Sequence, residues 1–297
     1  CCRNFRVSNC TVNSPFDYAI CPKSSYALGY ARPTENVTIS NCFVTGGYEV
    51  GSVIDGTWKP LADKHHVGTG RIKCGTESNG GFRNITISNC TFEKCQGFAL
   101  ESEDGAIVED ITFTGITMRD IGTAPIFLRL GTRMRGPKTM KPGVMHRILI
   151  SNVTSSGASQ LPSILSGVPG HNIEDVKISN VILEQVGGAT ASMAALQPEE
   201  KADGYPDPKM CGDLPACGLF ARHVRNLDVS NVDILTRAAD ARPAIWLHDV
   251  DGADFFHLKT PQGSGPTFDL HDVKNFRTFG SSQIEDVKLA DVEEKKI

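Results

Sequence analysis

Val37-Thr38-Ile39-Ser40-Asn41-Cys42 is the stretch whose reading decides the fold. It recurs as Phe5-Arg6-Val7-Ser8-Asn9-Cys10, Ile85-Thr86-Ile87-Ser88-Asn89-Cys90 and Ile148-Leu149-Ile150-Ser151-Asn152-Val153. Two later copies are Val176-Lys177-Ile178-Ser179-Asn180-Val181 and Leu227-Asp228-Val229-Ser230-Asn231-Val232, and a looser one is Ile111-Thr112-Phe113-Thr114-Gly115-Ile116. The alternation is a strand signal and the recurrence a repeat signal. The spacing between successive copies is unequal. Stacked β-coils tolerate that, because their loops bulge outward while the strands stay in register. Apolar-x-apolar puts two side chains inward and one polar side chain outward. Ser-Asn marks a bend, since Asn tolerates left-handed backbone angles and bonds to nearby backbone. Stacked about 4.8 Å apart, the equivalent Asn residues are expected to form an internal amide ladder. Cys10, Cys42 and Cys90 share a position later filled by Ile116, Val153, Val181 and Val232, so they read as small buried hydrophobes.

These features predict an all-β protein, a right-handed single-stranded parallel β-helix of the pectin-lyase-like solenoid type. No Leu-x-x-Leu-x-Leu framework supports a leucine-rich-repeat solenoid, and long amphipathic helices for a doubly wound fold are wanting. One domain over residues 1–297 is expected, with weaker repeats at Ile245-Trp246-Leu247, Phe268-Asp269-Leu270 and Val287-Lys288-Leu289. The first strand begins almost at residue 1, which is Cys. An open helix end exposes unpaired strand edges, so N-terminal coils are expected to be missing.

The repeat is broken by excursions at 46–82 and 129–143 and by a long loop insertion at 185–219. Such loops in a solenoid wall a groove or cover it. The formal charge of −4 gives no reason to expect nucleic acid, and no apolar run is long enough for a membrane span. Cys211 and Cys217 flank a short loop and could close a disulfide, although spacing alone does not establish the geometry. A zinc site is less well supported, and His65-His66 reads as a solvated pair. Five Asn-x-Ser/Thr matches, at Asn9, Asn36, Asn84, Asn89 and Asn152, read as by-products of the repeat, with Asn9, Asn89 and Asn152 expected to point inward.

Several groups could carry chemistry. Arg71-Ile72-Lys73 puts two cations on one strand face, or else on a solvated face. Arg129, Arg133 and Arg135 could bind carboxylates in bidentate fashion, but an ordinary basic loop is the plainer reading. Glu101 and Glu103 share a face if their segment is extended, and solvated turn acids are the plainer reading there too. Tyr26, Tyr30, Trp58 and Tyr205 are candidates to stack on sugar rings or to anchor loops.

Asp17-Tyr18-Ala19-Ile20-Cys21-Pro22-Lys23-Ser24-Ser25, Gly70-Arg71-Ile72-Lys73 followed by Gly-Thr-Glu77-Ser-Asn-Gly-Gly, and Gly122-Thr-Ala-Pro-Ile-Phe-Leu-Arg129-Leu-Gly occur in that order. In these stretches and in Ile173-Glu-Asp-Val-Lys-Ile-Ser-Asn180, the chain resembles glycoside hydrolase family 28, the polygalacturonase and rhamnogalacturonan hydrolase family. The resemblance implies hydrolysis of a pectic polysaccharide with inversion, without a cofactor or metal. It makes Asp17 the match to the general acid and Arg71 and Lys73 the match to the motif that holds a uronate carboxylate. Tyr18 stands where a second Asp is expected, Thr45-Gly46-Gly47-Tyr48 lacks the expected His, and an upstream Asn-x-Asp would precede residue 1.

Inversion requires two carboxyl groups about 6.5–9.5 Å apart. Asp17 as the acid would need a pKa raised by burial and a neighbouring like charge. A base partner would come from upstream or from Glu77, Glu101 or Glu103. Glu77, Glu101 and Arg129 join Arg71 and Lys73 as expected substrate-binding residues. A calcium-dependent lyase would need an Asp cluster, which is not evident, and a binding module with lost catalysis is the main alternative. The expected partner is a poly- or oligosaccharide, with no nucleic acid, no membrane and no second copy. The resemblance implies a secreted or periplasmic location.

Overall fold

Two columns of corners in the coils turn on residues held at positive φ. In the first such column these are Asn9 (φ 56°), Asn41 (54°), Asn89 (54°), Gly115 (67°), Asn152 (54°), Asn180 (56°) and Asn231 (53°). A left-handed residue costs about 1–2 kcal/mol for most side chains and little for Gly or Asn, which is why the repeat places Asn or Gly there. The computed structural model describes residues 1–62, 68–261 and 265–297, so His65 and His66 lie outside the described residues.

Between corners the strands stack in parallel and in register. Arg3–Ser8 pairs with Thr34–Ser40, which pairs with Phe82–Ser88, which pairs with Ile107–Ile121. Val144–Gly157, Ile173–Gly187, Leu219–Ala238, Ile245–Lys259 and Phe268–Phe279 continue the stack. The result is a right-handed parallel β-helix. Two helical turns, Ser52–Asp55 and Ala191–Ala194, are too short to organise anything. The last strand departs from the expected continuation: Val287–Lys296 runs antiparallel to Phe268–Phe279.

The interior is built from in-register stacks of the phrase's apolar positions. Ile39, Ile87, Phe113, Ile150, Ile178, Val229 and Phe255 are buried. So are Cys42, Cys90, Ile116, Val153, Val181 and Val232, which bears out the reading of the position for two of its three cysteines; Cys10, on the first coil, is only half-buried. All ten cysteines are free, including Cys211 and Cys217.

The amide ladder exists, but it lies outside. Asn9, Asn41, Asn89, Asn152, Asn180 and Asn231 are all exposed. The left-handed corner takes the place of one step of alternation. It turns the Asn outward while the residues two before it and one after it both face the core. Asn231 Nδ2 donates to Asn180 Oδ1 and Asn180 Nδ2 to Asn152 Oδ1, each at 3.2 Å. A second outward column of left-handed residues precedes it, in which Asn84 donates to Asn36 and Asn36 to Asn4, both at 2.8 Å.

Candidate functional site

One sheet of the helix forms the floor of the site. It comprises Lys73–Cys74, Phe98–Ser102, Ile126–Leu130, Ser163–Ser166 and the opening residues of the three long strands that follow. Leu100, Leu128, Leu165, Ala221, Leu247 and Leu270 face the core. Their neighbours form two outward columns in register. One runs Ala99, Phe127, Ile164, Phe220, Trp246, Asp269, and the other Glu101, Arg129, Ser166, Arg222, His248, His271.

Neither column is open to solvent over most of its length. The long insertion, found between Gly187 and Leu219 rather than 185–219, lies across them. Leu214 and Ala216 from this loop pack on Phe127, Ile164, Phe220 and Trp246 as a second apolar cluster. Phe220 and Trp246 stack with centroids 4.7 Å apart. The loop's polar stretch is tied down by arginines of the second column. Arg129 Nη2 donates to the carbonyls of Glu200 (3.3 Å) and Lys201 (2.9 Å). Arg222 donates to the carbonyls of Pro198 (3.1 Å), Glu199 (2.9 Å) and Glu200 (3.0 Å). Each guanidinium offers several donors in a fixed fork, so two side chains fix four consecutive carbonyls. His223 joins the loop's Glu200 (3.0 Å) to Asp249 (2.6 Å) through its two ring nitrogens. We refer to residues 198–207 as the strap.

Beneath the strap the candidate cations and carboxylates meet. Arg71 and Lys73 are fully buried, as are Glu101 and Glu103, and Arg129 is almost so. This overturns the solvated readings of the Arg-x-Lys face and of the Glu101–Glu103 turn; Asp207 and Tyr205 of the strap lie against Arg71 and Lys73. Lys73 Nζ lies 2.9 Å from Glu101 Oε2. Arg71 Nη2 lies 3.9 Å from Glu101 Oε1 and 3.6 Å from Asp207 Oδ2 on the strap. None of the three Arg71 side-chain nitrogens has a hydrogen-bond partner, and neither does either carboxylate oxygen of Glu103. Arg129 Nε reaches Glu103 at 3.7 Å. Arg133 is paired with Asp104, whose Oδ1 also accepts from the Arg135 amide at 2.9 Å. Arg129 and Arg133 are thus paired with carboxylates, while Arg135 is exposed.

Glycines make room for the two glutamates. Gly75 lies beside Glu101 on the preceding coil, and a Cβ there would stand 3.0 Å from Glu101 Cβ. Gly131 lies beside Glu103 on the following coil, and a Cβ there would overlap the Glu103 carboxylate. Burial pushes Glu101 upward from the ordinary carboxylate range, while Lys73 and Arg71 pull it back. Burial pushes Glu103 up to about 8, with Arg129 opposing it and the neighbouring Glu101 reinforcing it.

Asp17 sits on the coil that precedes Arg71 and is exposed, so the burial expected of it is absent. Its Oδ1 accepts from the Tyr18 amide at 2.8 Å. Tyr18 links this coil to the cluster. Lys73 Nζ donates to its hydroxyl at 3.1 Å and lies 4.3 Å from its ring centroid, and the hydroxyl lies 2.9 Å from that of Tyr205 on the strap. Glu77 is exposed and pairs with Lys23 at 3.4 Å, away from the cluster. Cys21, with its thiol bonded to the Gly75 carbonyl, is pushed up to about 11 by burial and is unsuited to be a nucleophile. Trp58 makes edge contacts with Tyr48 (4.8 Å) and Phe43 (6.1 Å), as a loop anchor does. Among the described residues no cluster of three or more His, Cys, Asp and Glu is placed to hold a metal ion.

Arg222, His223, Glu200 and Asp207 were not singled out from the sequence. A signal for Arg222 was present in a second repeated phrase, a residue followed by an inward apolar position and then an outward one. It reads Ala99-Leu100-Glu101, Phe127-Leu128-Arg129, Ile164-Leu165-Ser166, Phe220-Ala221-Arg222, Trp246-Leu247-His248 and Asp269-Leu270-His271.

A family model described as a right-handed beta helix region matches residues 1–133, a stretch that contains Asp17, Arg71, Lys73, Glu101, Glu103 and Arg129. No curated protein and no solved structure matches the chain.

Proposed function

We propose that this β-helix is a glycoside hydrolase acting on a uronate-containing pectic polysaccharide by acid/base hydrolysis with inversion, at a site outside the cell. One observation carries the reading. Arg71 is buried beside Lys73 with no hydrogen bond to its guanidinium, and a carboxylate already stands 3.6 Å from it, that of Asp207 on the strap. A buried cation without hydrogen bonds is expensive, and a planar guanidinium suits a carboxylate. A sugar carboxylate replacing Asp207 would gain both Arg71 and Lys73. Asp17, exposed on the adjoining coil, would line the path of the sugar chain, with Arg129 holding the strap that walls it.

The test is release of reducing ends from polygalacturonan and from rhamnogalacturonan, with the anomer of the first product read by NMR. Arg71→Ala and Lys73→Ala are each expected to lower the rate on the uronate polymer about 10- to 100-fold, as loss of a charge-assisted hydrogen bond does. No release from either polymer would reject the reading.

A second reading, binding without turnover, is favoured by Tyr18. It stands where the resembled family has a carboxylate, and its hydroxyl is already engaged by Lys73. Titration calorimetry with oligogalacturonides, showing binding in the absence of any product, would select it.

A further inference from the structure

We infer that Asp207 and Tyr205 of the strap are a built-in competitor for the uronate site: the free protein holds its own carboxylate against Arg71, and a sugar carboxylate binds by displacing it. The inference rests on the uronate reading above and adds to it a contact by which the chain restrains its own site.

The two strap residues offer what a uronate offers. Asp207 supplies a carboxylate, with Oδ2 3.6 Å from Arg71 Nη2. Two residues away, Tyr205 supplies a ring whose centroid lies 5.5 Å from Lys73 Nζ. Its hydroxyl meets that of Tyr18 at 2.9 Å and accepts from Thr76 at 3.4 Å. Both side chains thus approach the two buried cations that would hold the sugar. The fit is incomplete in one respect. No Arg71 side-chain nitrogen makes a hydrogen bond, so Asp207 offsets the charge of the guanidinium without satisfying its donors. A ligand carboxylate in bidentate contact would do both, which gives it the margin to displace Asp207.

Charge makes the two occupants exclusive. Arg71 and Lys73 face the carboxyl groups of Glu101 and Asp207, one for each cation. A third carboxylate would be buried with no cation of its own, which is costly. The sugar therefore enters only as Asp207 leaves.

The sequence Tyr205-Pro206-Asp207-Pro208 presents the competitor rigidly. Each proline fixes its own φ and drives the residue before it into extended backbone, and Asp207 has φ −135° and ψ 141°. Asp207 Oδ1 accepts from the Lys209 amide at 3.0 Å, capping the short turn Pro208–Cys211, so Oδ2 is the oxygen turned to Arg71. The loop is fastened on either side of this tip. Arg129 and Arg222 hold the carbonyls of 198–201 on one side, and Leu214 and Ala216 pack on the floor on the other. The tip can lift between these fastenings, with Gly212, at φ 65°, as a bending point.

The experiment uses the full chain and trigalacturonate as the probe. Asp207→Asn keeps an oxygen for the cap and removes the charge. Titration calorimetry is expected to show trigalacturonate bound about tenfold more tightly by this variant than by the unaltered protein, because the competitor is gone. In the unaltered protein, saturating trigalacturonate is expected to speed tryptic cleavage after Lys209, exposed beside the tip, several-fold. Equal or weaker binding by Asp207→Asn overturns the inference while the uronate reading stands. Cleavage left unchanged or slowed by bound trigalacturonate does the same, and this arm needs no variant to fold. Binding by neither protein is instead the failure of the uronate reading.

Discussion

Lys73 and Glu101 form an ion pair of 2.9 Å in which neither side chain retains any exposure to solvent. The pair lies between adjacent coils, and each partner makes the other tolerable at that depth. Removing one partner of a buried pair typically costs about 3–5 kcal/mol, because a bare charge is left behind, whereas replacing both by apolar groups is often neutral. Lys73→Met is therefore expected to destabilise the fold by that amount, and Lys73→Met with Glu101→Leu to recover most of it. Urea unfolding followed by circular dichroism measures both, and equal loss in the single and double variants would contradict the pairing.

Glu103 gives the fold a pH dependence of defined sign. Its pKa is raised to about 8 in the folded state, against about 4.3 for an unperturbed Glu. Between those values the folded protein keeps a proton that the unfolded chain has released. Stability from this group therefore falls as pH rises from about 4.5 to 8 and levels off above, by at most ~1.4 kcal/mol per pH unit. In Glu103→Gln that component of the slope is expected to vanish. Thermal unfolding of both proteins at several pH values reads the difference, and identical slopes would show that Glu103 is not held protonated.

Arg222 is expected to hold the strap more than the barrel. Its guanidinium bonds to the carbonyls of Pro198, Glu199 and Glu200, all on a segment with little regular structure. Arg222→Ala should speed tryptic cleavage after Lys201 and Lys209, both exposed, while leaving far-UV circular dichroism unchanged. Arg222→Lys should behave like Ala, since a point charge cannot span three carbonyls. A cleavage rate equal to that of the unaltered protein would mean that the apolar contacts of Leu214 and Ala216 suffice.

Asn180 does two things that substitution separates. It holds a left-handed corner at φ 56°, and its amide links Asn152 and Asn231. Asn180→Gly keeps the corner and loses the link, so a loss of about 1 kcal/mol is expected. Asn180→Ala loses both and should cost a further ~1–2 kcal/mol. Chemical denaturation ranks the three proteins, and an Ala variant as stable as the Gly variant would remove the corner's role.

What could be read in the sequence follows from which contacts are local to a coil. The inward stacks, including Cys42 and Cys90, depend only on alternation, and alternation is visible. The side on which Asn41 and its equivalents lie is not fixed by alternation, because one left-handed residue reverses the order of inward and outward positions. That Arg71 and Lys73 lie together was legible in Arg71-Ile72-Lys73, whereas Glu101 read more plainly as a solvated turn acid. That they would be buried was not, since Asp207 and Tyr205, which lie against Arg71 and Lys73, come from the strap.

The corner columns have a consequence for how such a chain can diverge. At the corners of Asn152, Asn180 and Asn231 the backbone passes from one sheet to the next through a single residue, with no spare length. One inserted residue there would exchange inside for outside along the rest of the strand. At the two borders of the floor sheet, by contrast, the chain makes its excursions, as at 131–143 and 188–218. Doubling such a loop costs only about 0.6 kcal/mol of closure entropy. Tolerance for added length is thus concentrated along the rims of one face. The bore of the solenoid is held constant while the walls above the floor are free to be rewritten, so new ligand preferences can arise by lengthening or trimming loops without disturbing the coils that carry them.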